Sequence, residues 1–238
     1  MTTAVLTRDP VLIMLSEISE RCESVSLVRN RVFELVRGEI LSCQLRPGEE
    51  LRENELAKRY GVSKSPVRDA MQKLEFEGLV EIEPRRGHRV KPISVADADD
   101  ILELRAMLET GAVRLIVEKA TDAQLADLDR FRTADLTSIS AFAAYNRSFH
   151  HALASMTGNR RLAEETQRLM EVYDRLCLVS LSTLRREDAL AEPLADHNEI
   201  IDALQARNGT AAARMVTRHV GKSRGSIMRG LGQRSIVD

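Results

Sequence analysis

Residues 52–91 read RENELAKRYGVSKSPVRDAMQKLEFEGLVEIEPRRGHRVK. Leu56, Ala57 and Tyr60 recur at helical spacing until Gly61 stops the pattern. It resumes after Val62-Ser63-Lys64-Ser65-Pro66 with Val67, Ala70, Met71 and Leu74, and runs to Gly78. Pro66 suits a first helical turn, where its missing N–H has no intrahelical partner to lose, and Ser63 or Ser65 can cap that end. Leu79-Val80-Glu81-Ile82-Glu83 then alternates apolar and acidic residues, Pro84-Arg85-Arg86-Gly87 turns, and His88-Arg89-Val90-Lys91 returns. This predicts a short β-hairpin with a basic tip.

On the N-terminal side, Val28, Val32, Leu35, Val36 and Ile40 mark a helix that Arg46-Pro47-Gly48-Glu49 breaks. Residues 1–25 have a Thr-rich start and a weakly amphipathic stretch, and read as a flexible arm. After Pro92 no strand signal appears. Ser94 or Asp97 opens a helix reaching about Lys119, Thr121 and Gln124 have capping-box spacing for a second, and Ser140 opens a third ending near Met156. Further helices are expected over about 160–181, 190–206 and 210–229. The composition shift at Pro92–Ser94 marks a domain boundary. The expected fold is mostly α: a winged helix-turn-helix over 26–93, then an all-α bundle of six or seven helices over 94–232.

The 238 residues, 43% hydrophobic and 30% charged, suffice for one large or two modest cores and exclude a disordered or fibrous chain. With 35 Lys and Arg against 36 Asp and Glu, no whole-molecule field draws the chain to nucleic acid or membrane. Between Leu27 and Lys91, however, 14 basic residues face 11 acidic ones. Cys22, Cys43 and Cys177 match neither a metal pair nor a secreted disulfide framework. The apolar patch Val11–Leu15 is too short and too acidic in its flanks for a signal segment, and no run is long enough to span a bilayer. A cytoplasmic protein is the expectation.

Two helices around a tight turn, followed by a basic-tipped hairpin, is the order in which a second helix enters the DNA major groove. Lys64, Ser65 and Arg68 fall on its N-terminal turn, where side chains meet base edges and phosphates, and Arg86, Gly87 and His88 fall at the wing. A solvated charged helix face would explain the first group alone, but not the cationic cluster at the hairpin tip. Pro47-Gly48-Glu49-Glu50-Leu51, Glu55-Leu56-Ala57, Gly61 to Ala70 and Leu74-Glu75-x-Glu77-Gly78-Leu79-Val80 together resemble the DNA-binding domain of the GntR family of bacterial transcription regulators. Lys64 stands where that family usually has Arg, so a point charge replaces a bidentate fork.

Four of the five histidines lie beyond the wing. His150 lies along the edge of the stripe Phe142, Tyr145, Phe149, Leu153, Met156, with Asn146 four residues before it, while His151 falls on a more polar side. His197 shares a face with Ile200, Ile201 and Leu204, and His219 shares one with Met215, Val216 and Val220. Three imidazoles and a side-chain oxygen converging in a bundle can hold a divalent metal, but spacing does not bring three helices together, and a hydrogen-bonded core histidine is the commoner fate of each.

Phe149-His150-x-x-Leu153 with Gly158-Asn159, His197-x-x-Ile200-x-x-Ala203-Leu204, and Ala211-Ala212-Ala213 leading to His219 resemble the FCD ligand-binding domain of the FadR-type subfamily. The resemblance implies a metal held by Asn146, His150, His197 and His219, zinc first, with nickel, manganese or iron as alternatives. Asn146 replaces the subfamily's Asp, so the ligand set loses a negative charge. Weaker metal affinity and greater dependence on an anionic effector follow from that change. Arg105 reads by spacing as a surface residue paired with Glu109 at i+4; the resemblance implies instead a pocket-facing group that holds a carboxylate effector. The implied protein is a cytoplasmic, homodimeric, metabolite-responsive repressor on a pseudo-palindromic double-stranded DNA operator, with no membrane association and no catalysis. Two alternatives stay open: a metal-dependent enzyme, although no carboxylate stands as a general base beside the histidines, and a regulator whose metal is purely structural.

Overall fold

The computed structural model describes residues 27–83, 87–181 and 190–232. The arm expected over 1–25 and the wing-tip residues Arg85 and Arg86 lie outside them. The described residues form two compact units, one of 27–40 with 48–91, the other of 41–47 with the chain from Pro92 onward.

In the first unit, helix α1 (27–41) leads to strand β1 (Glu50–Leu51), helices α2 (Glu53–Tyr60) and α3 (Lys64–Phe76), and strands β2 (Val80–Glu83) and β3 (Gly87–Val90). Gly61 ends α2 in the left-handed conformation at φ 65°, where its N–H meets the last carbonyls of the helix. A side chain is strained at that angle, so glycine ends α2 more cheaply than any other residue. Ser63 sits at the N-cap of α3, although its side chain makes no capping bond. Val67, Ala70, Met71 and Leu74 are buried along one face of α3, and Val32, Val36, Ile40, Leu56 and Val90 are buried in the same unit. The sheet runs β1-β3-β2, with Arg89 opposite Glu50 and Glu81, and His88 opposite Leu51 and Ile82. Strand β1 is an addition to the hairpin that the sequence predicts. Two residues carry no alternation to read, and pairing with β3 is what makes them a strand.

The second unit is all helical among its described residues: α4 (Val95–Lys119), α5 (Asp122–Ala126) continuing into a 3₁₀ turn (Asp127–Phe131), α6 (Ile139–Met156), α7 (Arg160–Leu181), α8 (Ala191–Gln205) and α9 (Gly209–Leu231). Ser94 caps α4 by accepting from the Asp97 N–H, and Thr121 and Gln124 complete the capping box of α5. Helix α6 starts earlier than expected. Ser138, not Ser140, accepts from Ala141 N at 3.0 Å, because a cap bonds the amide three residues on. Ile116, Phe149, Leu153, Ile200, Ile201, Leu204 and Val216 form one apolar core, and Leu102, Met170, Leu176 and Ile227 form a second. No helix among the described residues is long and apolar enough to cross a membrane.

Helix α9 packs its Gly230 against α7, where an added Cβ would lie 2.4 Å from the Ser180 carbonyl oxygen. Backbone cannot yield as a flexible side-chain tip can. Gly230→Ala gains up to about 1 kcal/mol of helix propensity and loses more to the clash, for an expected net loss of about 1–2 kcal/mol. Thermal unfolding of the variant tests this, with a midpoint several degrees lower.

Candidate functional site

In the first unit the first turn of α3 presents Lys64, Ser65 and Arg68 to solvent. Arg68 spans to Glu53 on α2, with Nη2 3.4 Å from Oε2 and Nε 3.5 Å from Oε1. An ion pair this exposed contributes at most about 1 kcal/mol, so a phosphate or base edge can take the guanidinium. At the wing, Gly87 opens β3, exposed, and His88 follows half-buried. Arg89 is committed elsewhere, to Glu81 at 2.7 Å and Glu83 at 3.0 Å. The described wing is therefore less cationic than its sequence suggests.

In the second unit, α6, α8 and α9 bring together His150, His197 and His219, all buried, with ligand atoms within 4.8 Å of one another. The Nε2 atoms of His197 and His219 are 3.3 Å apart. Each imidazole is oriented from behind through Nδ1. His219 Nδ1 faces Asp196 Oδ2 at 3.5 Å, and His150 Nδ1 lies 3.0 Å from Glu109 Oε1, close but off the line of a hydrogen bond. The Tyr145 hydroxyl donates to the Phe131 carbonyl at 2.7 Å and sits 3.1 Å from His197 Nδ1, so its lone pairs accept from that N–H. Protonated Nδ1 atoms outside leave Nε2 lone pairs facing inward, the tautomer a metal requires. The Phe149 ring stacks on His197 at 4.3 Å between centroids and fixes its plane.

Burial, before any charged neighbour, pushes all three histidines below their ordinary value, His150 to about 4. They are neutral imidazoles at neutral pH. Asn146 is buried one turn before His150 on α6. The donors fit a divalent ion: three convergent, neutral nitrogens with outer partners, and an amide oxygen one helical turn away.

Arg105 is not on the helix surface. It is fully buried on α4, in an inward stripe with Leu102, Glu109 and Ala112. Its Nε donates to Glu109 Oε1 at 2.6 Å, and its Nη2 lies 2.7 Å from His150 Nε2 and 3.1 Å from His219 Nε2. The guanidinium lies over the Tyr173 ring at 4.2 Å. Burial opposes both charges, but each holds the other ionised, and Glu109 titrates well below the usual carboxylate range. Two buried atoms of this pair, Arg105 Nη1 and Glu109 Oε2, have no hydrogen-bond partner.

The i, i+4 spacing did place Glu109 beside Arg105, but not inside the protein. Tyr145 is legible only as a core aromatic. Asp196 carries no signal at all toward His219, since its partner lies 23 residues later on another helix.

Residues 28–90 match the bacterial regulatory proteins of the gntR family, and residues 100–222 match the FCD domain. The chain is 28% identical over 198 residues to the HTH-type transcriptional repressor RspR of Escherichia coli, spanning 81% of this chain and 86% of that protein. It is 30% identical over 209 residues to the HTH-type transcriptional regulator LutR of Bacillus subtilis, spanning 76% and 92%. The solved structure of E. coli McbR/YncC shares the fold with a TM-score of 0.68 at 20% identity, over 84% of this chain and 96% of that one.

The depressed histidines set a pH dependence. The unfolded chain takes up protons near pH 6.5 that the folded chain refuses, so this stability is complete above that value and is lost as pH falls toward the folded values. Metal-stripped protein should therefore lose thermal stability steeply between about pH 7 and pH 4. His150→Gln, which removes one of the titrating groups, should flatten the curve while lowering its plateau; unfolding midpoints across pH check both.

Proposed function

Because the chain belongs to the GntR family and carries an FCD domain, a pairing found in DNA-binding transcription regulators and not in enzymes, we propose that it is a metabolite-responsive repressor whose helical domain binds a divalent metal and a small carboxylate. Residues 26–93 recognise the operator, and 94–232 bind the effector and dimerise. The repressor direction rests on the similarity to RspR. Lys64, Ser65 and Arg68 contact the operator from the first turn of α3, and Arg86, Gly87 and His88 contact it from the wing. A homodimer sets two such helices on half-sites of a pseudo-palindrome.

The observation that carries the metal reading is the convergence of three buried, neutral imidazoles, each steered through Nδ1. His150, His197 and His219 would hold the ion, with the Asn146 carbonyl as an uncharged fourth ligand. Bound there, the metal supplies a positive centre that draws an anion into the bundle. Zinc suits three nitrogens and an oxygen best, ahead of nickel, manganese or iron. The effector reading rests on Arg105 Nη1, a buried cationic donor without an acceptor, which a carboxylate oxygen would satisfy. Effector binding shifts DNA affinity by the difference between its affinities for the DNA-competent and DNA-incompetent states.

Protein purified without chelator or immobilised-metal resin should contain about one divalent ion per chain, and His150→Ala should lose it; metal analysis of both decides this. Asn146→Asp restores a charged ligand and should tighten metal binding by about tenfold or more, read by competition with a chelating dye. If metal content is negligible in all three proteins, the metal reading fails. On the operator, Lys64→Ala should weaken binding similarly for all sequences and reduce the salt slope by about one, whereas Arg68→Ala should cost about 1–3 kcal/mol and relax specificity at one base pair, as salt-dependent titrations would show.

A further inference from the structure

We infer that Arg105 is a built-in competitor for the metal: its guanidinium sits at the coordination point of His150 and His219, and an ion enters only as Arg105 withdraws. The inference rests on the metal reading above and adds the residue that opposes it. Each imidazole Nε2 has a single lone pair in the ring plane. Those of His150 and His219 already accept from Arg105 Nη2, at 2.7 Å and 3.1 Å. A metal about 2.0–2.1 Å from the same nitrogens needs those same lone pairs. The two occupants exclude each other by valence before any repulsion between a guanidinium and a divalent cation is counted.

Arg105 is held there by several independent contacts. An arginine near a helix surface ordinarily runs its apolar stem outward and keeps its head in water. This one is wholly buried, bonded through Nε to Glu109 at 2.6 Å and laid over the Tyr173 ring at 4.2 Å. Glu109 in turn faces His150 Nδ1 at 3.0 Å, so one carboxylate steers both the competitor and a ligand. The state open to metal is then a minor one, and measured affinity falls below intrinsic affinity by the fraction of time Arg105 is out. Metal entry also frees the two N–H groups now given to histidines, adding them to the unpartnered Nη1 that faces no acceptor.

The experiment compares the full-length chain with the double variant Arg105→Met/Glu109→Gln, using zinc and nickel as probes. The pair of changes removes one positive and one negative charge together, so the local net charge seen by an ion is unchanged, and in Glu109→Gln an amide oxygen can still face His150 Nδ1, so the readout is occlusion. A minor open state of about 10% or less predicts metal binding about tenfold or more tighter in the double variant. In stopped-flow mixing, the wild-type rate should level off with metal concentration, limited by Arg105 withdrawal, while that of the variant rises linearly. The wild-type kinetics test the inference even if the variant folds poorly: a rate that stays linear to the highest concentration overturns it. Equal affinities in the two folded proteins overturn the competition and leave the three-histidine site standing. Absence of bound metal in both overturns the site and the competition together.

Discussion

The buried pair of Arg105 and Glu109 is the constraint around which the helical unit is arranged. Removing two charges from water costs several kcal/mol per ion, which their attraction recovers only with close geometry and further hydrogen bonds. Here the additional partners are His150 and His219, delivered by α6 and α9, while α8 brings His197 against His219. Four helices must therefore hold their axial positions to within a fraction of a turn, or a charge is left in the core without a partner. The apolar residues supply the driving force for packing, and this polar centre narrows the packing to one register.

The surroundings also settle the chemistry of the histidines. Burial keeps them neutral, and their outer partners differ in kind: a carboxylate paired with arginine behind His150, a tyrosine hydroxyl behind His197, and a carboxylate shared with Lys222 behind His219. Each partner lies on the Nδ1 side of its ring, so each ring turns Nε2 inward. An anionic oxygen from Asn146 is missing from this set, and the nearest buried carboxylate, Glu109, is engaged by Arg105. On the proposed reading, a centre this poor in negative charge holds a cation less tightly than one with a carboxylate ligand, and an accompanying anion strengthens the hold.

The first unit follows a different logic. Many of its charges stand in exposed or half-buried pairs, Arg29 with Asp69, Arg37 with Glu77, Arg59 with Glu39, and Arg89 with Glu81 and Glu83. Exposed pairs of this kind stabilise little and exchange readily. Lys64 and Arg68 at the start of α3 are exposed, and among the described residues Arg68 has only its pair with Glu53 to give up to the DNA contact proposed for it.

Local chemistry made much of this protein legible from its residues. Capping pairs such as Thr121 with Gln124, the stop at Gly61, and the 3.6-residue stripes on α3, α6, α8 and α9 act within a few residues of one another, so spacing alone determined those helices and the inward placement of His150, His197 and His219. The short motifs around Gly61 to Ala70 carried the family for the same reason. Ser138 was missed because two serines within reach of the same helix start cannot be told apart without the backbone angles. Strand β1, the pairing of Asp196 with His219, the hydroxyl of Tyr145 behind His197, and the burial of Arg105 were decided only by the tertiary structure. Each joins residues far apart in the chain, and such a pairing has no period to read: it exists once helices and strands have packed and a buried polar group has had to find whatever partner the other elements present.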